Sequence, residues 1–386
     1  MSGDEDRQRS VPESDERVAA KRLKVCLVGP SLDILGGQAV QLDRLMRKLR
    51  EVPELEVTFL PVNPRLPGPL DLARRVKYVR TVVTSCAYLA SLARHLRHVD
   101  VVHAYSASYW SFLLAPVPAM TVARLYRKGV ILNYHSGEAA DHLSRWHSAK
   151  PPMRLAHRIV VPSRYLVAVF AEHGLTAREI GNFVDIERYK FRVRTEPRPL
   201  FLNNRNLEKH YNVACTLRAF ARICAEEADA RLILVGDGSE RRNLEALAEA
   251  LGVRDRVEFR GRVAPERMPF VYDEADIFLN SSDVDNVPLS IAEAFASGLP
   301  VVTTDTGGIP DMVTHDHSGL LVPRGDDAAL AAAALRVLRE EGLAARLGAA
   351  ARSVCQSRYA WPAVRDAWLE VYREAAVAAH VEHRGR

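Results

Sequence analysis

Short apolar runs alternate with longer stretches of helical periodicity along almost the whole chain. This pattern predicts parallel strands joined by helices that cover both faces of a sheet. In the first half the strand-like runs are Lys24–Val28, Leu55–Val62, Asp100–Tyr105, Val130–His135 and Ile159–Pro162. In the second half they are Leu200–Leu202, Arg231–Val235, Val257–Phe259, Ile277–Leu279, Pro300–Thr303 and Leu320–Val322. The clearest helix is Ser239–Leu251, with a serine to cap it, Leu244, Leu247 and Leu251 on one face, and Gly252 to end it. Charged Glu187–Arg198 has little apolar periodicity and runs into Pro197-Arg198-Pro199, so the connector between two domains is expected there. The fold class is therefore α/β, with two doubly wound domains. Their expected limits are a polar tail over 1–20, a first domain over 21–190, a linker over 191–199, a second domain over 200–357 and a terminal helix and tail over 358–386. Two such domains facing each other bring the carboxyl ends of both sheets to one cleft, where ligands bind in open α/β sheets.

A chain of 386 residues exceeds one ordinary core, which agrees with two domains. At 48% apolar and 26% charged, its composition is that of a soluble globular protein. No apolar run reaches the roughly 18–20 residues of a membrane span, and the polar first twenty residues lack the apolar core of a signal peptide. Cys26, Cys86, Cys215, Cys224 and Cys355 are scattered without metal or disulfide spacing, so a reducing compartment, the cytoplasm, is expected. The net charge of +5 is unevenly spread: residues 1–190 hold 28 Lys and Arg against 19 Asp and Glu, and the remainder 25 against 29. A basic first half suits an acidic partner, but no nucleic-acid motif accompanies it, so nucleic acid is not expected as a partner.

The most informative segment is Asp285-Asn286-Val287-Pro288-Leu289-Ser290-Ile291-Ala292-Glu293, which runs into Ala294-Phe295-Ala296-Ser297-Gly298. Two acids bracket the start of a helix, and a helix N-terminus attracts phosphate. Acids beside it suit the hydroxyls of a sugar nucleotide. Ser290-x-x-Glu293 is equally a capping box that only closes the helix on itself. After the first strand, Gly36-Gly37 lets backbone approach a phosphate, although no dinucleotide fingerprint is present. His135 stands at a strand exit, either as a donor or base or as an ordinary polar loop residue. Arg205 and Lys209 follow the first strand of the second half, either as a diphosphate clamp or as a solvated charged loop. Phe259-Arg260-Gly261-Arg262-Val263 is a strand end whose backbone suits a base edge.

Taken together, these motifs resemble family 4 of the glycosyltransferases, retaining enzymes of GT-B architecture with two facing Rossmann-like domains, a cleft between them and a C-terminal helix crossing back to the first. The likeness runs from about Lys24 to Glu374. The family's Glu-x7-Glu pair appears as Asp285-x7-Glu293, its glycine loop as Gly36-Gly37, its active-site histidine as His135 and its basic clamp as Arg205. The resemblance implies that Glu293 holds ribose hydroxyls, and that Asp285 approaches the donor sugar. It places Leu289 and Ser290 on phosphate, Val263 near the base and His135 near the anomeric centre. It further implies a UDP- or GDP-linked sugar as donor and a glycan or lipid-linked acceptor, with no cofactor. No metal requirement is expected, because no Asp-x-Asp pair is placed like a metal site; Asp283-x-Asp285 has that spelling but falls inside the acid motif. The chain departs from the pattern in three places. Asp285 is one methylene short, and Phe183 replaces a glycine in Asn182-Phe183-Val184-Asp185. Tyr211-Asn212 stands where Lys-Gly is expected, which weakens the assignment of Lys209.

Two other readings fit the same motifs: a UDP-sugar epimerase of GT-B fold, and an inactive scaffold that only binds nucleotide sugars. Pro67–His98 adds a basic helical region, with Arg74, Arg75, Lys77, Arg80, Arg94 and Arg97 and a single acid, Asp71. It suggests peripheral docking on an anionic membrane surface, or ordinary solvated helices.

Overall fold

The computed structural model describes residues 22–31, 37–64, 77–106 and 108–384. The expected polar tail 1–20, Gly36 and residues 67–76 of the basic region lie outside the described residues. The first six strands are β1 (Leu23–Gly29), β2 (Leu55–Pro61), β3 (Val101–Ser106), β4 (Gly129–Tyr134), β5 (Arg158–Val161) and β6 (Ala177–Glu179). They form one sheet in the order β2-β1-β3-β4-β5-β6. The second sheet holds β7 (Leu200–Asn204), β8 (Arg231–Val235), β9 (Val257–Gly261), β10 (Ile277–Asn280), β11 (Val301–Thr304) and β12 (Leu320–Val322). Its order is β12-β11-β10-β7-β8-β9, and in both sheets the named pairs are parallel. In β1, Val25 and Leu27 enter the core on one face while Cys26 and Val28 enter the core on the other. Such two-sided burial is why these strands read as continuous apolar runs rather than as alternating ones.

Two details differ from expectation. Strand β6 was not foreseen, because Ala177-Arg178-Glu179 is half-buried and not apolar. It exists by pairing with β5 at the sheet edge, where Arg178 and Glu179 can face out toward partners. The helix expected over Ser239–Leu251 spans Arg241–Ala250 and is not capped by Ser239, whose hydroxyl instead donates to Glu208 Oε2 at 2.6 Å. Gly252, at φ +69°, ends it as expected.

Five helices matter for the cleft: α1 (Gly37–Arg50), α2 (Lys77–His95), α3 (Val213–Glu226), α4 (Leu289–Ser297) and α5 (Trp361–Arg384). Helix α5 crosses back and buries Trp368, Val371, Tyr372 and Ala375 with Val101, Tyr105 and Ile131 of the first sheet. The approach is close enough that a Cβ on Gly129 would lie 2.8 Å from the Ala375 carbonyl. Phe183 fills the space beside this helix with its ring 5.1 Å from that of Trp361. It is absent from the non-glycine positions of positive φ, so the glycine it replaces is not needed for backbone freedom.

The charged connector is fastened rather than solvated. Arg194 is buried, and its guanidinium donates to the carbonyls of Ala275, Ser297 and Tyr272. The fully buried Asp276 carboxylate accepts from the Arg198 backbone N–H and Nε, each at 2.8 Å, and pairs with Arg192 and Arg194. Although burial alone would raise its pKa, the bonds from Arg198 and Arg192 hold the carboxyl below its ordinary value. Asp276→Ala leaves three arginines without their shared anion. It should cost about 3–5 kcal/mol of stability in denaturant titration; a loss under about 1 kcal/mol would contradict this anchoring role.

Candidate active site

Helix α1 and the loops after β4, β7 and β10 meet between the sheets. Two adjoining cavities lie there. One of about 360 Å³ is lined by His135, Asp285, Arg205, Tyr211, Leu289 and Gln41, among others. The other, of about 220 Å³, is lined by Arg44, Arg205, Tyr211, Val263, Ser290 and Glu293, among others. Arg205, Tyr211 and Leu289 border both. Seven residues singled out in the sequence (His135, Arg205, Val263, Asp285, Leu289, Ser290 and Glu293) are thus brought to one place from both halves of the chain. Gly37 is the first residue of α1, and its neighbour Gly36 is outside the described residues. Lys209 is exposed on a short 3₁₀ turn and lines neither cavity.

Arg205 sits at the junction. It pairs with Asp285, and its Nη1 donates to Ser290 Oγ at 3.2 Å. The Tyr211 ring lies 4.2 Å beneath its guanidinium, and its Nε has no partner. A tyrosine face stabilises a cation without neutralising it. Asn212, standing where the family pattern has glycine, adopts φ +44° and ψ +44° and caps α3 by accepting from Cys215 N–H at 3.3 Å. Asparagine tolerates this left-handed conformation, so the turn keeps its shape while its lysine position is taken by an aromatic ring. Glycines hold the two partners. At Gly236 (φ +127°) a Cβ would stand 2.1 Å from the Arg205 carbonyl oxygen, and at Gly307 (φ +54°) one would stand 1.9 Å from that of Asp285.

Helix α4 begins at Leu289 with Pro288 as its cap and no side-chain capping bond. Ser290 is therefore inside the helix, and the capping box is not formed. Glu293 instead accepts from Arg44 Nη2 at 2.7 Å, across the cleft from α1. Asp283, two residues before Asp285, accepts from Asn212 Nδ2 at 3.1 Å.

His135 directly follows β4, and its ring stacks on Tyr105 at 5.4 Å and 5°. Tyr105 in turn stacks on His103 at 4.9 Å, and His103 on Trp368 of α5 at 4.8 Å. Burial lowers the His135 pKa to about 4, so its imidazole is neutral near pH 7, and Nε2 is buried without a partner. The sequence reading missed Arg44, Gln41, Tyr211 and this stack. Gln41 and Arg44 lie one turn apart on a helix that otherwise buries Leu42, Leu45, Met46 and Leu49. Their burial was the only available signal, and it requires the second domain.

Comparison with known proteins agrees in both halves. Residues 35–188 match the family described as Glycosyltransferase Family 4, and residues 185–354 match Glycosyl transferases group 1. N-acetyl-alpha-D-glucosaminyl L-malate synthase of Bacillus anthracis is 30% identical over 51% of this chain and 50% of its own length. The chain thus spans about half of that protein. The lipopolysaccharide core biosynthesis glycosyltransferase LpsD of Rhizobium meliloti is 26% identical over 71% of this chain and 75% of its own. Among solved structures, Anabaena HepE in complex with UDP and glucose superimposes with a TM-score of 0.71 at 18% identity, over 90% of this chain and 99% of that one. Sucrose-phosphate synthase from Thermosynechococcus elongatus gives 0.72 at 20% identity, over 92% and 100%. At these identities the structural likeness establishes the fold. Fold, motif placement and both family matches agree: the chain belongs to the family 4, group 1 glycosyltransferases of GT-B fold.

Proposed function

We propose that the protein transfers a sugar from a UDP- or GDP-linked donor to an acceptor hydroxyl in the synthesis of a glycan, polysaccharide or glycolipid, with retention of configuration. One observation carries this reading: a single guanidinium, Arg205, joins a cavity holding His135 and Asp285 to one holding Val263, Ser290 and Glu293. The first suits a sugar, the second a nucleoside, and their junction a diphosphate. HepE, of the same fold, has been solved with UDP and glucose.

In this reading Glu293 takes ribose hydroxyls, and Val263 lies by the base. The amides at Leu289 and Ser290 face phosphate at the N-terminus of α4. As the glycosidic bond breaks, negative charge grows on the leaving diphosphate and meets Arg205, which is already oriented by Tyr211 and Ser290. Asp285 and neutral His135 lie on the side of the reacting sugar, His135 as a hydrogen-bonding group rather than as a cation. The acceptor enters from the first domain and attacks from the face the leaving group departs.

We place the enzyme in the cytoplasm, which its five free cysteines support, docked peripherally on anionic lipid. No described helix is long and apolar enough to cross a membrane. Helix α2 exposes Val82, Leu89 and Arg94, the turn Leu96–His98 that follows exposes Arg97, and Leu114 and Leu125 are also exposed. Tyr88 and Tyr126 fix this face by donating to the carbonyls of Ala115 and Ala93 at 2.8 and 3.1 Å. Apolar and basic groups together suit an interface, with each basic residue adding about 1 kcal/mol near an anionic surface.

Arg205→Ala should lower kcat by roughly 100-fold in a donor-consumption assay across UDP- and GDP-sugars, with a smaller change in donor KM. An unchanged kcat would remove Arg205 from the chemistry, and conversion of a UDP-sugar without acceptor would favour an epimerase.

The His135 shift sets a pH dependence of stability. The unfolded chain takes up its proton near pH 6.5 and the folded one only near 4, so stability is full above 6.5 and falls as pH drops toward 4. His135→Gln should reduce that slope in denaturant titrations at pH 7 and 5, leaving the part that buried His103 contributes; an unaltered slope would contradict the burial of a neutral ring.

Sedimentation with vesicles containing anionic lipid should pellet the protein at low ionic strength and release it as salt rises. Failure to pellet at low salt would instead point to a soluble acceptor.

A further inference from the structure

The smaller cavity has a wall from each domain. Glu293 comes from α4 of the second, and Arg44 from α1 of the first, with side-chain exposures of 7% and 2%. Arg44 spends only part of its donor set: Nη2 meets Glu293, whereas Nη1 is buried with no hydrogen-bond partner. One turn earlier, Gln41 Nε2 is likewise buried without a partner and borders the larger cavity.

A purely structural tie would be arranged differently. Buried ion pairs gain little over apolar packing unless every donor is satisfied, and an idle N–H in the interior carries a desolvation cost. Helix α1 has apolar neighbours enough to pack with, and Arg44 lines the smaller cavity, so its unpaired donor is suited to a ligand bound there. The chemistry of the pair narrows that ligand. A phosphate would meet Arg44 but be repelled by Glu293, and a cation would meet the reverse. A neutral vicinal diol satisfies both, donating O–H to the carboxylate and accepting N–H from the guanidinium.

We propose that Arg44 and Glu293 jointly hold the ribose diol of the nucleotide, so that the nucleoside is read by both domains at once. Glu293 accepts from the hydroxyls, and Arg44 Nη1 donates to one of their oxygens. The inference rests on the assignment of this cavity to the nucleoside. It makes Arg44 a specificity residue for ribose and couples nucleotide binding to closure of α1 on α4.

The test is calorimetric titration of the wild type with UDP, GDP and ADP, then of the wild type and Arg44→Met with whichever binds and with its 2′,3′-dideoxy counterpart. The wild type should prefer the ribonucleotide by roughly tenfold or more. In Arg44→Met that preference should shrink several-fold, mainly through weaker ribonucleotide binding, while the dideoxy affinity changes little. A full ribose preference in a folded Arg44→Met protein would overturn the proposal and leave Arg44 as an interdomain tie. Hydrogen exchange on the unaltered protein gives a second readout, independent of whether that variant folds. Amides of α1 should be protected by saturating ribonucleotide and less so by the dideoxy form; equal protection would also overturn it. Binding of none of the three nucleotides by the wild type would refute the donor reading itself, a result separable from failure of the Arg44 proposal alone.

Discussion

The cleft depends on holding one cation, Arg205, largely buried and paired with Asp285 where two sheets meet. A guanidinium in that position costs desolvation unless it is paired. The surroundings answer that cost in three ways. Asp285 supplies charge, Ser290 supplies an acceptor at 3.2 Å, and Tyr211 supplies a π face at 4.2 Å. The loops that carry these groups touch through glycines, where a Cβ at Gly236 or Gly307 would collide with the backbone of Arg205 or Asp285. A small change in any of these loops therefore moves the cation relative to both cavities.

The other side of the cleft is set by stacking. His135 does not hang on a free loop; it closes a column of rings through Tyr105 and His103 to Trp368. The column ties the position of the imidazole to α5, the helix that returns from the second domain. The same burial keeps both histidines neutral, with His103 lowered to about 3 and His135 to about 4. Helix α5 therefore connects packing far along the chain with the geometry of the site.

Much of this was legible in the sequence because it is local. Parallel strands buried on both faces announce themselves as apolar runs, and the segment from Asp285 to Gly298 carries its own strand-loop-helix punctuation. What stayed hidden needed partners distant in sequence. Arg44 looks like any polar residue of an amphipathic helix until Glu293, 249 positions later, lies beside it. Strand β6 has no apolar signature, and the connector's arginines look solvated until Asp276 is seen beneath them. The capping-box reading of Ser290 and Glu293 was sound locally, and it failed because Pro288 starts the helix two residues before Ser290.

The most direct test of the account is a crystal structure of the protein with the nucleotide it binds. The nucleoside should lie between Val263 and Glu293, with the diphosphate at Arg205 and the N-terminus of α4. Nucleotide density on the first domain, or anywhere away from Arg205 and Glu293, would contradict it.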